Sequence, residues 1–205
     1  MLAGKKTRLP SAYQEVEYLG SSRSQYIVSD YISASADIIE AKVKFTSLAG
    51  GNNGIIIGSG NGLVSFNALG TLPSTGFFCQ WNINTNSFVQ SGIRDTEIHV
   101  LIADFNSRAL TVDGVLFTNP NAINYVPTNY PCYIFANNNF RDNVVNYLSA
   151  VQVFSLTITR QGNVIKNYVP CYRRSDSKPG LYDLENDVFY TNSGTGEFNV
   201  GPDVN

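Results

Sequence analysis

Alternation of apolar and polar positions governs this chain. From Asp37 to Phe45, Ile39, Ala41, Val43 and Phe45 share one side, and Glu40, Lys42 and Lys44 share the other. A period of two predicts a half-buried antiparallel strand. Residues 97–104 repeat the pattern, with Ile98, Val100 and Ile102 on one side. Residues 108–117 read as a hairpin, because Asp113–Gly114 is a two-residue turn signal flanked by Leu110, Val112, Val115 and Phe117. Gln161–Gly162–Asn163 turns a further hairpin between residues 156–159 and 164–168. Short apolar runs at 54–57, 63–66, 77–81, 133–136 and 148–154 supply further strands, separated by turn signals. No long amphipathic helix is written anywhere, so the expected class is all-β, an antiparallel sandwich or barrel.

Gly58–Ser59–Gly60–Asn61–Gly62 follows the apolar Ile55–Ile57 as a dinucleotide loop would. The next run, Leu63–Phe66, reads as strand rather than helix, so the glycines are expected to make a hairpin turn. Residues 50–54 and the proline-bearing 119–131 read as ordered loops, too short and too weakly charged to separate domains. The organisation expected is a flexible arm at 1–8, a single domain at 9–201 and a tail at 202–205.

Composition narrows the function. With 205 residues, 43% of them hydrophobic, one domain can bury a real core. A net charge of −2 and a pI near 5.3 leave no basic footprint for nucleic acid. Lys5, Lys6 and Arg8 make only a short basic tip, read as a solvated arm that could still dock on a partner. No apolar run is long enough to cross a bilayer, and the N-terminus lacks the apolar region of a signal peptide. No membrane insertion is expected, and synthesis is expected in a cytoplasm. Cys79, Cys132 and Cys171 are odd in number and widely spaced. They read as buried thiols, with a Cys132–Cys171 disulfide as the alternative.

Catalytic patterns are sparse. Asp37 and Glu40 fall on opposite faces of a strand, whereas a retaining glycosidase needs its carboxyls roughly 5–5.5 Å apart. Asp183 and Glu185 have a same-face spacing but lie in a turn region, where solvated acids are the ordinary case. The one histidine, His99, has no partner nucleophile in an elbow motif. No catalytic residue and no cofactor is therefore expected. A rim calcium stays open on ligand chemistry, through Asp104, Asp113 and Asn137 to Asn139, although no compact acidic loop is present.

Surface recognition of sugars needs an aromatic face for stacking and amides or Arg for hydroxyls. Two tracts have that mixture: Gln80–Trp81–Asn82–Ile83–Asn84, and Asn137–Asn138–Asn139–Phe140–Arg141–Asp142–Asn143. Trp81, Asn82, Asn84, Asn137, Asn138 and Arg141 are the expected carbohydrate-binding residues if the tracts meet in space. Otherwise Trp81 is core and the asparagines are turn material.

Two terminal stretches carry a resemblance. One is LPSAYQEVEYLGSSRSQYI, from Leu9 to Ile27. The other is YVPCYRRSDSKPGLYDLENDVFYTNSGTGEFNVGPDV, from Tyr168 to Val204. Between them lies Leu110–Thr111–Val112–Asp113–Gly114. Together these resemble the concanavalin A-like, laminin-G-like domains of phage and prophage virion proteins and of gut-bacterial surface proteins. The resemblance implies a jelly-roll β-sandwich with its ends close together. Tyr13, Val16 and Tyr18 are expected near Phe189, Tyr190 and Phe198.

The function it implies is a non-enzymatic virion surface protein, of decoration or fibre type, that binds host or mucosal glycans. Its partners would be other virion proteins or like subunits in a homo-oligomer. A purely structural subunit that cements its neighbours is the alternative, and a glycoside hydrolase the weaker one, since the fold hosts all three.

Overall fold

The computed structural model describes residues 9–47, 54–60, 65–82, 88–120, 124–140, 142 and 144–205. The basic arm, the glycine–asparagine loop at 50–53, Asn61 to Val64, Asn84 and Arg141 lie outside them.

The described chain is all β. Its strands are β1 (Tyr13–Glu15), β2 (Leu19–Ser22), β3 (Ile27–Val28), β4 (Asp37–Phe45), β5 (Gly54–Gly60), β6 (Phe66–Leu72), β7 (Gly76–Trp81), β8 (Phe88–Gln90), β9 (Ile98–Asp104) and β10 (Ala109–Val112). There follow β11 (Val115–Thr118), β12 (Tyr133–Ile134), β13 (Asn137–Asn139), β14 (Val144–Asn146), β15 (Ala150–Arg160), β16 (Asn163–Arg173), β17 (Lys178–Asp183), β18 (Val188–Thr191) and β19 (Asn199–Val200). The larger sheet runs β11-β10-β9-β4-β15-β16-β17-β18, with β1 on β16 and β2 between β15 and β19. The smaller runs β14-β13-β5-β6-β7-β8, with β12 bridging β3 and β5. All pairings are antiparallel except β13 with β5. The two sheets face each other as a sandwich.

The core between them follows the predicted alternation on β4, where Ile39, Ala41, Val43 and Phe45 are buried. They meet Ile57, Leu69, Phe77, Cys79 and Trp81 of the smaller sheet in one apolar cluster. On β15 the inward set changes phase, from Val151 and Val153 to Leu156 and Ile158. A β-bulge between Val153 and Ser155 absorbs the extra residue and keeps both sets on the core. Two segments that read separately in the sequence are therefore one strand.

Strand β9 reverses an expectation. Leu101 and Ala103 point inward, with His99 nearly closed beside them, while Ile98 and Val100 are exposed. Register explains it: His99 lies opposite Val43 and Leu101 opposite Ala41, both core residues of β4. Strand pairs share a face, so the fuller aliphatic set is left outside.

The first and last described segments are adjacent, as expected. Tyr13 packs on Tyr182 and Phe189, with centroids 4.8 and 5.0 Å away. Val16 is buried, but Tyr18 sits against Phe154, 5.5 Å away, rather than beside Phe198. Residues 202–204 are strapped down rather than free. The amide of Glu17 donates to the Pro202 carbonyl, Val204 donates to Glu15, and Val16 bridges Asp203. All three cysteines are free, buried thiols, and burial pushes Cys132 and Cys171 up to about 12.

Candidate ligand-binding groove

The expected sugar cleft does not assemble. Trp81 is wholly buried in the core, so its ring offers no face to a ligand. Asn82 is almost closed, and its Nδ2 donates to the Asn124 carbonyl at 3.1 Å. Asn137 and Asn138 are strand residues of β13 rather than loop residues. The Asn137 amide donates to the Gly60 carbonyl and to Asn146 Oδ1, each at 2.8 Å, and Asn138 donates to the Pro131 carbonyl at 2.8 Å. These amides donate to the protein's own backbone and to the Asn146 side chain where β13 runs parallel to β5. Three strand spacings separate β13 from β7, about 14 Å, so the two tracts do not meet.

Other singled-out groups have internal roles. His99 is held between Asp113 (Nδ1 to Oδ2, 2.6 Å) and Asp95 (Nε2 to Oδ1, 2.7 Å). Burial works against its charged form, but the two carboxylates outweigh it and raise its pKa. Asp104 caps the amides of Asn106 and Ser107. Asp104, Asp113 and the β13 asparagines thus have separate partners. Among the described residues no group of three or more His, Cys, Asp or Glu side chains is arranged to hold a metal.

Asp183 is not a solvated turn acid. It is fully buried and accepts from the amides of Asn167 and Glu185 at 3.1 Å each, from Asn186 Nδ2 at 2.7 Å, and pairs with Lys166 Nζ at 3.1 Å. Leu184 donates to the Asn167 carbonyl at 2.9 Å. This knot folds the chain after β17 against β16 and seats Glu185 near Asn167.

Glu185 thereby forms one wall of a groove of about 560 Å³ over the outer face of the larger sheet. Glu40, Thr157 and Asn167 cross its floor as one register row on β4, β15 and β16. Glu15 and Phe154 also line it. The ring of Phe154 sits at the β15 bulge, with Lys42 Nζ 5.5 Å from its centroid. The groove therefore offers an exposed carboxylate, a hydroxyl, an amide and an aromatic flank on β4, β15 and β16, at Glu40, Thr157, Asn167 and Phe154, and a second exposed carboxylate at Glu185 in the turn after β17. Carboxylate and amide oxygens accept from hydroxyls, and the amide also donates.

The backbones of Glu40 and Glu185 are separated by two intervening strands, about 14 Å. Sequence reasoning missed the groove because its residues come from β1, β4, β15, β16 and the turn after β17. Only pairing register brings them together.

A second surface feature is the Tyr130–Phe140 pair, stacked at 3.9 Å and 6°, with Tyr130 46% exposed. It presents the flat aromatic face that Trp81 does not.

The chain matches none of the protein-family models and none of the curated proteins with which it was compared.

Proposed function

We propose that this chain is a non-enzymatic recognition module of a phage particle surface, a decoration or fibre-type protein that binds host or mucosal glycans. The observation that carries the binding part is the groove over β4, β15 and β16. It sets hydroxyl-accepting carboxylates, one on β4 and one in the turn after β17, beside an amide and an aromatic flank. Pockets of this kind fix ligand orientation with a few polar groups. The particle-surface part rests on the two terminal stretches that resemble virion proteins. Its partners are neighbouring virion proteins and like subunits, and repetition on a particle raises avidity without tight single sites.

The test is a glycan array probed with multivalently displayed protein. Glu40→Gln and Asn167→Ala are expected to lose selective binding while Tyr130→Ala keeps it. Loss only in Tyr130→Ala would move the site to the aromatic pair. Silence across the array from folded protein would sink the glycan reading.

A purely structural role is the second reading. It is favoured by the outward aliphatic set on β9 and the hairpin beside it, where Ile98, Val100 and Leu116 are 46%, 36% and 63% exposed. Apolar patches of this kind mark contact with another protein.

A further inference from the structure

Strand β11 is an outer edge of the larger sheet, and among the described residues its only strand partner is β10. The hairpin register fixes which of its backbone groups point away. Val112 and Val115 flank the two-residue turn Asp113–Gly114, whose φ angles of 49° and 83° are those of a type I′ turn. In such a hairpin the flanking pair exchanges both hydrogen bonds, and pairs then alternate. Val115 and Phe117 therefore bond to β10, while Leu116 and Thr118 turn their N–H and C=O groups to the open edge.

Natural edges are blunted by short length, by lysine, proline or bulges, or by a covering helix or loop, and among the described residues β11, four residues long, shows only the first. Residues 115–118, Val-Leu-Phe-Thr, carry no charge and no proline, and their register with β10 is unbroken. The neighbouring edge of the smaller sheet is treated differently. There the Phe88 carbonyl of β8 accepts from Asn119 Nδ2 at 3.1 Å. Val115 and Leu116 are 56% and 63% exposed, and Leu116 continues the outward aliphatic set of β9.

We propose that β11 pairs with β11 of a second copy of this chain, antiparallel, about a two-fold axis at Phe117. That register sets Leu116 opposite Thr118 of the other copy, and Thr118 opposite Leu116. Both outward pairs are hydrogen-bonded pairs, so four N–H···O=C bonds close at once. A two-fold uses the same patch on both partners, and this edge is self-complementary in the required way. The larger sheet then runs continuously through both protomers. The proposal is independent of sugar binding.

Sedimentation velocity of the full chain over a concentration series is expected to show a monomer–dimer equilibrium. Leu116→Lys places a charge on the edge, and Thr118→Pro removes an outward N–H while leaving the β10 ladder intact. Each is expected to weaken dimerisation at least about tenfold, with the thermal midpoint of the monomer nearly unchanged.

Register is read by mixing Leu116→Cys and Thr118→Cys proteins under mild oxidation. The mixed disulfide is expected to exceed either homodimer, and the three native thiols are buried. The proposal is overturned by a chain that stays monomeric throughout, by a dimer indifferent to both edge variants, or by homodimeric disulfides equalling the mixed one.

Discussion

His99 faces a carboxylate with each ring nitrogen, an arrangement only the imidazolium satisfies, because a neutral ring donates from one nitrogen alone. Its folded pKa is raised, so this stabilisation is complete below the ordinary imidazole value of about 6.5 and is lost as pH rises through the folded value. The thermal midpoint of the wild type relative to His99→Gln is expected to fall as pH rises above about 6.5. A constant difference above that pH would remove the charged clip from the account. Asp37 makes a second residue-scale test. It is fully buried and accepts from Tyr31 Oη and the Ala34 amide at 2.7 Å each, and from Arg160 Nε and Nη2 at 2.6 and 2.9 Å. Asp37→Ala strands those donors, and urea denaturation should show a loss of about 3 kcal/mol. Trp81→Ala is expected to cost about 3–5 kcal/mol in the same measurement, since it empties a fully buried site. The sequence left Trp81 open between core and surface. The face it takes is set by its register opposite Asn67, which no local pattern shows.

Element by element, legibility tracks how local the deciding physics is. Strand β4 was readable because its two faces differ in polarity along its whole length. The Asp113–Gly114 and Gln161–Gly162 turns were readable because type I′ geometry needs positive φ at both residues, as found. Gly114→Val should cost about 1–3 kcal/mol, since open space surrounds the site and only the strain of a β-branched residue at positive φ opposes it. Gly70→Ala should cost more by chemical denaturation, because its Cβ would lie 2.3 Å from the Gly54 carbonyl oxygen, a backbone atom. A milder effect at Gly70 than at Gly114 would contradict that close approach. Strand β13 was not legible. Three consecutive asparagines read as a loop, and they become a strand only because β5 and β14 supply partners on both sides. The outward aliphatic face of β9 was hidden for the same reason, since its neighbour's register decided which side faces the core.

At the scale of the whole molecule, the two ends of the chain close one region of the larger sheet. Residues 202–204 bond to Glu15, Val16 and Glu17, and β19 pairs with β2. Deleting residues 202–205 removes the bonds to Glu15, Val16 and Glu17 while leaving β19 in the chain, and should lower stability by about 1–3 kcal/mol by thermal denaturation, where an untethered tail would leave it unchanged. Sequence alone determined the all-β class and the major hairpins, which follow from side-chain period and turn chemistry. The nearness of the ends was an expectation of the resemblance in the terminal stretches, and the structure chose free thiols over the Cys132–Cys171 disulfide. Tertiary structure alone decided that Trp81 is core, that Asp183 is buried, and that Glu40, Thr157, Asn167 and Glu185 share one groove. Each of those depends on which strands pair and in what register, and strand register is a property of residues far apart in the chain.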